Sequence, residues 1–159
     1  MICFAPVYFF WIFIFAAQYL ALPHLNHRAK RGHYPGRQIA SELNDYWKKR
    51  FGTGIPAVAG NAWVAGNVSV YTPSDPPVFT DAAFEFGYMG ETETVRATGA
   101  VILWDIQKQG EECPAFYCGL FHEAVVQPPI RMPHLTGADV PEARVGWAVL
   151  APKAEARAS

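Results

Sequence analysis

Charged residues and cysteines are scarce in this sequence, and each scarcity excludes a class of protein. Asp, Glu, Lys and Arg make up only 17% of the 159 residues, and the formal net charge is −1. The chain is therefore not a wholly basic nucleic-acid binder, and no nucleic-acid partner is expected. Three cysteines are too few for a disulfide-packed miniprotein, and an apolar content of 51% excludes a disordered chain.

Motifs that mark common enzyme chemistries are also missing. The chain has no Gly-x-Gly-x-x-Gly loop, no Walker phosphate loop, no His-Glu-x-x-His pattern and no Gly-x-Ser-x-Gly turn. Its histidines at positions His24, His27 and His33 lack a regular ligand spacing, so no metal site is expected. The residues by themselves therefore assign no cofactor and no catalytic group.

The charges that are present divide the chain into three segments. Residues 2–22 carry none, residues 24–50 hold seven Lys and Arg against two Asp and Glu, and residues 51–159 hold six against twelve. An apolar, a basic and an acidic segment follow one another, which is not the pattern of one uniform globular domain.

The uncharged run predicts a transmembrane helix. Its 21 residues would reach about 30 Å as a helix, which is roughly the thickness of the hydrocarbon layer of a bilayer. Tyr8, Trp11 and Tyr19 suit interfacial anchors. A buried core helix and a cleaved signal peptide are the alternatives, but a small domain has little room for a helix apolar on every face, and no Lys or Arg precedes the run. We therefore expect a transmembrane helix over residues 1–23.

A basic juxtamembrane linker is expected over residues 24–36. Because Arg28, Lys30 and Arg31 follow the apolar run closely and no basic residue precedes it, the positive-inside rule favours a cytoplasmic location for the rest of the chain. Helices upstream in a larger protein would set the orientation instead, so the side of the membrane stays open at this point.

Residues 37–151 show the pattern of a small soluble α/β domain. Apolar residues recur at helical spacing after Gly36, and Gly52 ends that helix. Short apolar runs then alternate with two helical segments, which begin at Asn61 and Glu91. The runs predicted as strands are Ile55–Ala59, Val78–Thr80 and Ala100–Trp104, then one from Phe121 that Pro128 and Pro129 break, and finally Val145–Leu150.

The expected fold class is therefore α/β: an N-terminal transmembrane helix followed by a small soluble domain with a short parallel βαβαβ core and added antiparallel strands. Residues 152–159 form an Ala-rich, charged tail with nothing to bury, and disorder is expected there.

Two carboxylates at strand ends are candidate binding residues. Asp81 and Asp105 each follow a predicted parallel strand, and ligands of open α/β sheets bind at the carboxyl ends of strands. The alternative is structural, because acidic residues also cap the helices that follow strands.

A compact cluster of amides and an indole follows the first predicted strand. Asn61, Trp63 and Asn67 could donate hydrogen bonds to a sugar and stack on it. In the alternative interpretation Asn61 caps a helix, Trp63 lies in the core and Gly66 allows close packing. Both interpretations stay open on the sequence alone.

Cys113 and Cys118 are separated by four residues. They either close a small loop as a disulfide, which would imply an oxidising compartment, or remain as two unpaired thiols. Two cysteines without a second pair do not indicate a metal site.

A series of short motifs runs from His33 to Asp105. The motifs are His33-Tyr34-Pro35-Gly36-Arg37, Trp47, Val58-Ala59-Gly60-Asn61 with Trp63, Ala65-Gly66-Asn67, Tyr71-x-Pro73, Pro77-Val78 and Gly99-Ala100-Val101-x-Leu103-Trp104. This run, about half of the chain, resembles the C-terminal region of bacterial membrane glycosyltransferases of family 39, the dolichyl-phosphate-mannose protein mannosyltransferase type.

The resemblance implies a soluble extracytoplasmic domain that follows the last transmembrane helix, at the inner (cell) membrane. Members of the family transfer a sugar from a polyprenyl-phosphate carrier, and they use acidic residues in an early extracytoplasmic loop of a multi-helix bundle. This sequence has no matching loop, so no catalytic residue carries over. The implied partners are the lipid bilayer and a polyprenyl-phosphate sugar or a larger membrane glycosyltransferase.

Two functional hypotheses follow. In the first, the chain is the membrane-anchored C-terminal domain of a polyprenyl-phosphate-sugar-dependent glycosyltransferase, a fragment or accessory piece that is not catalytic alone. Its contact residues would be Asn61, Trp63, Asn67, Asp81 and Asp105. In the second, the chain is a non-enzymatic single-pass membrane protein whose α/β domain binds a partner or a small ligand.

Overall fold

The chain divides into two compact units. The computed structural model describes residues 5–80 and 89–153. Unit 1 comprises Met1–Pro35 with Met132–Ala143, and unit 2 comprises Gly36–Arg131 with Arg144–Ser159. Of the predicted tail, residues 154–159 lie outside the described residues.

Unit 1 begins with two helices in place of one long helix. Helix α1 covers Ala5–Leu20, and helix α2 covers Leu22–Asn26. Pro23 lies in the first turn of α2 and has no N–H to continue the hydrogen-bond ladder of α1, so the apolar run is not one continuous helix. None of the helices within residues 5–80 and 89–153 is both long enough and apolar enough to cross a membrane. The predicted N-terminal transmembrane helix is therefore wrong.

The basic segment after α1 is folded and contacts a later part of unit 1. A single 3₁₀ turn covers Arg31–His33. The backbone N–H of Leu135 donates to the carbonyl of His33 at 2.7 Å. The Nδ1 atom of His27 lies 2.9 Å from the carbonyl oxygen of Asp139. These contacts join two stretches of unit 1 that are about a hundred residues apart in the chain.

Unit 2 alternates helices and strands. In chain order its elements are helix α3 (Gly36–Phe51), strand β1 (Val58–Gly60), helix α4 (Ala62–Tyr71), strand β2 (Val78–Thr80), helix α5 (Met89–Thr98), strand β3 (Ala100–Asp105), helix α6 (Ile106–Gln109), helix α7 (Ala115–Leu120), strand β4 (Val125–Met132) and strand β5 (Ala143–Leu150).

The strands form one mixed sheet of five strands in the order β2-β1-β3-β5-β4. Strand β1 is central to the parallel part, because it pairs in parallel with both β2 and β3. Strand β5 pairs antiparallel with the whole length of β3, from Ala100 opposite Leu150 to Asp105 opposite Val145. The structure is therefore α/β with a mixed sheet, and α4 and α5 are the connections between its parallel strands.

Helix α3 forms where the apolar spacing predicts it. Ile39, Leu43 and Trp47 recur along one side and are fully buried. Three cations in the last turn suit the negative end of the helix dipole. Gly52 follows with a φ of 73°, the left-handed conformation that ends helices.

One large cluster of buried side chains covers a face of the sheet. It combines residues of β1, β3 and β5 with aromatic residues at α7. Its members are Ala57, Ala59, Val95, Ala100, Ile102, Trp104, Ile106, Tyr117, Phe121, Ala148 and Leu150. The strand predicted from Phe121 begins only at Val125, because Phe121 directly follows α7 and is fully buried in this cluster.

Side chains of helix α5 bond to the end of α7 and to the segment after β5. Arg96 donates from Nη2 to the carbonyl of Leu120 at 2.6 Å, which fastens the end of α7. Lys153, after β5, pairs with Glu93. The hydrogen bond from the Lys153 ammonium lowers the pKa of the Glu93 carboxyl, and the positive charge acts in the same direction.

Strand β4 runs through two prolines and lies at the edge of the sheet. The sequence predicts that Pro128 and Pro129 break the strand, and that prediction is wrong, because β4 continues to Met132. An edge strand tolerates proline, since one side of its backbone needs no ladder hydrogen bond. The Pro128 carbonyl is used nonetheless: the indole Nε1 of Trp147 donates to it at 2.7 Å.

Candidate functional site

The polar groups at the strand ends serve the fold. The Oδ1 atom of Asn61 accepts from the backbone N–H groups of Trp63 at 3.2 Å and Val64 at 3.3 Å, so Asn61 is the N-cap of α4. In the same way, Oδ1 of Asp105 accepts from the N–H of Gln107 at 3.0 Å and caps α6. Asp81 lies outside the described residues.

The second oxygen of Asp105 is also engaged. Its Oδ2 lies 3.5 Å from the ammonium of Lys108. Both carboxylate oxygens of Asp105 therefore have partners within its own strand-to-helix turn. Asn61 and Asp105 therefore have structural roles, and the remaining residues of the amide and indole cluster lie on helix α4.

Those residues share one exposed side of helix α4, which we call the α4 face. Side chains three or four positions apart lie on the same side of a helix. Its members are Trp63, Gly66, Asn67, Val70 and Tyr71. The opposite side of α4 is buried and consists of Val64, Ala65, Val68 and Ser69.

Three large apolar or aromatic side chains of the α4 face are exposed to solvent. Trp63 is 38% exposed, Tyr71 is 43% exposed and Val70 is 75% exposed. The interpretation of Trp63 as a core residue is therefore wrong. A Cβ atom on Gly66 would meet nothing within 4 Å, so Gly66 does not serve close packing either.

Asn67 lies between the two rings of the α4 face. Its Nδ2 donates to the carbonyl of Trp63 at 2.8 Å, which holds the amide against the helix. Its Oδ1 is close to the start of α3, because a Cβ on Gly36 would lie 2.9 Å from that oxygen. The side chain is thus held in one orientation by its own helix and by α3.

Gly36 brings the first turn of α3 onto the α4 face. A Cβ at this position would also lie 3.1 Å from Cε2 of Tyr71, so only glycine allows this approach without a shift. The next residue, Arg37, is exposed, and its guanidinium carbon lies 5.4 Å from the centre of the Tyr71 ring. Arg37 therefore belongs with the α4 face in space.

Sequence reasoning missed Arg37 and Tyr71 as candidate site residues. Tyr71 lies seven residues, about two helical turns, after the buried Val64 and therefore nearly on the same side of an ideal helix, so the sequence carries no signal for its exposure.

No protein-family profile, no curated protein and no solved structure matches this chain. Within residues 5–80 and 89–153, no three His, Cys, Asp or Glu side chains come together in a way that could hold a metal ion. Two aromatic rings, an amide and a guanidinium suit recognition of a polar ring compound.

A disulfide joins Cys113 and Cys118 at the start of α7. The S–S distance is 2.10 Å and the two Cα atoms are 6.3 Å apart. Cys113 packs against the buried cluster of the sheet, and Tyr117 between the two cysteines is part of it. The bond therefore holds α7 at its start, while Arg96 holds it at its end.

Loss of this disulfide is expected to destabilise unit 2. A loop of this length is worth about 2 kcal/mol through the entropy of the unfolded chain. Urea unfolding of the full chain should therefore shift to lower urea when Cys113 and Cys118 are both replaced by serine. The wild-type chain with dithiothreitol should behave like the double variant, and the double variant itself should not respond to dithiothreitol. Identical unfolding of the wild-type chain with and without the reductant would contradict the prediction.

Proposed function

We propose that unit 2 is a non-catalytic sugar-binding module that serves a polyprenyl-phosphate-sugar-dependent glycosyltransferase, as a fragment or accessory piece of it. The observation that carries the proposal is the α4 face, with an indole, a phenol ring and an oriented amide on one exposed side of a helix. An aromatic ring can stack on the C–H face of a pyranose while an amide bonds its hydroxyls.

The distribution of the motif residues supports this proposal. Several of the residues that carry the resemblance to family 39 glycosyltransferases have a clear packing role, among them Gly36, Trp47 and Gly60. Trp63 and Tyr71 belong to the same motifs and are 38% and 43% exposed. A ligand could stack on the exposed part of either ring.

The proposal includes an extracytoplasmic location at the inner (cell) membrane, which two observations support. The Cys113–Cys118 disulfide is typical of an oxidising compartment. Helix α1 leaves Tyr8, Phe10 and Phe13 largely exposed, and such side chains favour an apolar neighbour such as a bilayer. Neither observation calls for a helix that crosses the membrane.

Replacing Trp63 by alanine is expected to weaken sugar binding at least about fivefold, because a stacked aromatic contact is worth about 1 kcal/mol or more. The probes are methyl hexopyranosides of different stereochemistry, titrated into the full-length chain in a detergent without a sugar headgroup. Affinity is measured from chemical-shift changes of labelled backbone amides. The shifted amides are expected to cluster in α4 and the first turn of α3.

Val70→Ala is the matched control, because Val70 lies on the same face and is more exposed but has no ring. This variant should bind the sugars within a factor of two of the wild-type chain. If no hexopyranoside binds, or if the shifted amides avoid α4, the sugar-binding proposal fails. The alternative of a non-enzymatic protein whose α/β unit binds another partner is then favoured.

A further inference from the structure

Arg37 differs from Arg96 and Arg144 of unit 2 in its electrostatic environment, and it shares with Arg50 and Arg131 the lack of an ion pair among the described residues. Arg96 lies near the carboxylate of Glu93, and Arg144 pairs with Glu111. None of the ion pairs among the described residues includes Arg37, although its side chain is exposed. Its guanidinium lies over the Tyr71 ring. In the described part of the chain, this positive charge has no carboxylate partner.

This arrangement leaves the guanidinium suited to an anion. An arginine stacked on an aromatic ring keeps its N–H donors at the edge of the plane, where they can make two parallel hydrogen bonds to a phosphate. The contact with Tyr71 also holds the side chain near one position, so less rotational freedom is lost on binding.

The position of Arg37 relates this anion site to the proposed sugar site. Tyr71 belongs to the α4 face and is the ring that Arg37 covers. Asn67 and Tyr71 both lie beside Gly36, the residue that precedes Arg37. Trp63 and Tyr71 are about two helical turns apart along α4, so a ligand that reaches from Trp63 past Asn67 approaches the guanidinium over Tyr71.

We infer that the ligand of the α4 face is a phosphorylated sugar, and that Arg37 binds its phosphate while Trp63 and Asn67 contact its pyranose ring. The inference rests on the proposed sugar-binding function and adds the charge of the ligand to it. Arg37 is then the residue that selects a sugar phosphate over a neutral sugar.

The cations at the other end of α3 do not share this role. Lys48, Lys49 and Arg50 lie in the last turn of the helix. At about 1.5 Å per residue, Arg50 is roughly 20 Å from Arg37 along the helix axis. A phosphate at Arg37 is therefore beyond hydrogen-bonding reach of Arg50, and Arg50→Gln is a control that removes the same charge elsewhere.

The test compares a hexose 1-phosphate with the methyl glycoside of the same hexose and with inorganic phosphate, using the full-length chain at fixed ionic strength. Wild-type protein should bind the hexose 1-phosphate about tenfold more tightly than the methyl glycoside, as expected for a charge-assisted hydrogen bond. Arg37→Gln should abolish this preference, and Arg50→Gln should retain it. Arg37→Lys should restore only part of it, because an ammonium lacks the planar pair of donors.

Each other outcome overturns the inference in a recognisable way. If the wild-type chain binds the hexose 1-phosphate and the methyl glycoside with equal affinity, Arg37 does not contact the phosphate, but the sugar-binding proposal is unaffected. If Arg37→Gln and Arg50→Gln reduce the preference for the hexose 1-phosphate equally, the preference reflects the overall charge of the protein and not a phosphate site at Arg37. Binding of inorganic phosphate as tight as that of the sugar phosphate separates the anion site from the sugar. Failure of both sugars to bind removes the proposed function as well.

Discussion

Gly60→Ala is expected to prevent unit 2 from folding. Gly60 has a φ of 121°, and a Cβ atom there would lie 2.0 Å from the carbonyl oxygen of Leu103 and 2.9 Å from its backbone nitrogen. Both atoms belong to the backbone of β3, which pairs with β1 at this point and cannot move without separating the strands. The combined backbone strain and overlap should cost more than about 4 kcal/mol, in the range of the most disruptive substitutions.

The measurement is the soluble yield of the variant and the dispersion of its amide spectrum. Gly66→Ala is the matched control, because Gly66 has no positive φ and an added Cβ meets nothing within 4 Å. In the middle of α4, alanine should raise the free energy of unfolding by about 0.5–1 kcal/mol. A Gly60→Ala chain with a wild-type spectrum and melting temperature would show that β1 and β3 are not packed as described.

Gly146→Ala is expected to lower the free energy of unfolding by about 3 kcal/mol, as overpacking of a rigid core does. Gly146 lies opposite Trp104 across β5 and β3, and an added Cβ would lie 2.1 Å from Cε2 of the indole. The indole is 1% exposed and therefore cannot swing into solvent. Any shift of the ring would also strain its hydrogen bond from Nε1 to the carbonyl of Gly110, now 3.3 Å long.

A double-mutant cycle with Trp104→Leu tests the cause of this effect. Removing the indole is itself costly, because it leaves a cavity in the buried cluster. In the Trp104→Leu background, however, an alanine at Gly146 has room for its methyl group and should cost less than about 1 kcal/mol. Urea unfolding of the four chains provides the coupling free energy. Additive effects of the two substitutions would show that the clash with the indole is not the cause.

The helices and strands of unit 2 were predictable where two independent signals coincide. For α3 the apolar spacing of Ile39, Leu43 and Trp47 agrees with Gly52 as the terminating residue, and the structure places the helix at Gly36–Phe51. For α4 the N-cap Asn61 and the following apolar residues agree in the same way. The α/β class follows from such agreements, because each of these elements is specified locally.

The sequence predictions were wrong where the structure of a segment depends on more than its own hydropathy or composition. Hydropathy counts the apolar residues of the N-terminal run, but it does not show that the hydrogen-bond ladder is interrupted at Pro23. Likewise, Pro128 and Pro129 interrupt a strand in the middle of a sheet but not at its edge. Whether a strand is central or at an edge depends on contacts between distant parts of the chain.

The candidate site was predictable only in part for a related reason. Asn61, Trp63 and Asn67 were singled out because they are polar or aromatic and close in sequence. Helix α4 is apolar around most of its circumference, however, so its sequence does not indicate which side faces the sheet. The exposure of Trp63 and Tyr71 is decided by packing, as is the contact between Tyr71 and Arg37.

The position of β5 between β3 and β4 has a consequence for how unit 2 is made on the ribosome. Strand β4 has no neighbour in the sheet until β5 has been synthesised, because β5 alone separates it from β3. Until then the edge of β3 that pairs with β5 is also without its partner. The sheet of unit 2 therefore cannot be completed before β5, which ends at Leu150, has left the ribosomal tunnel.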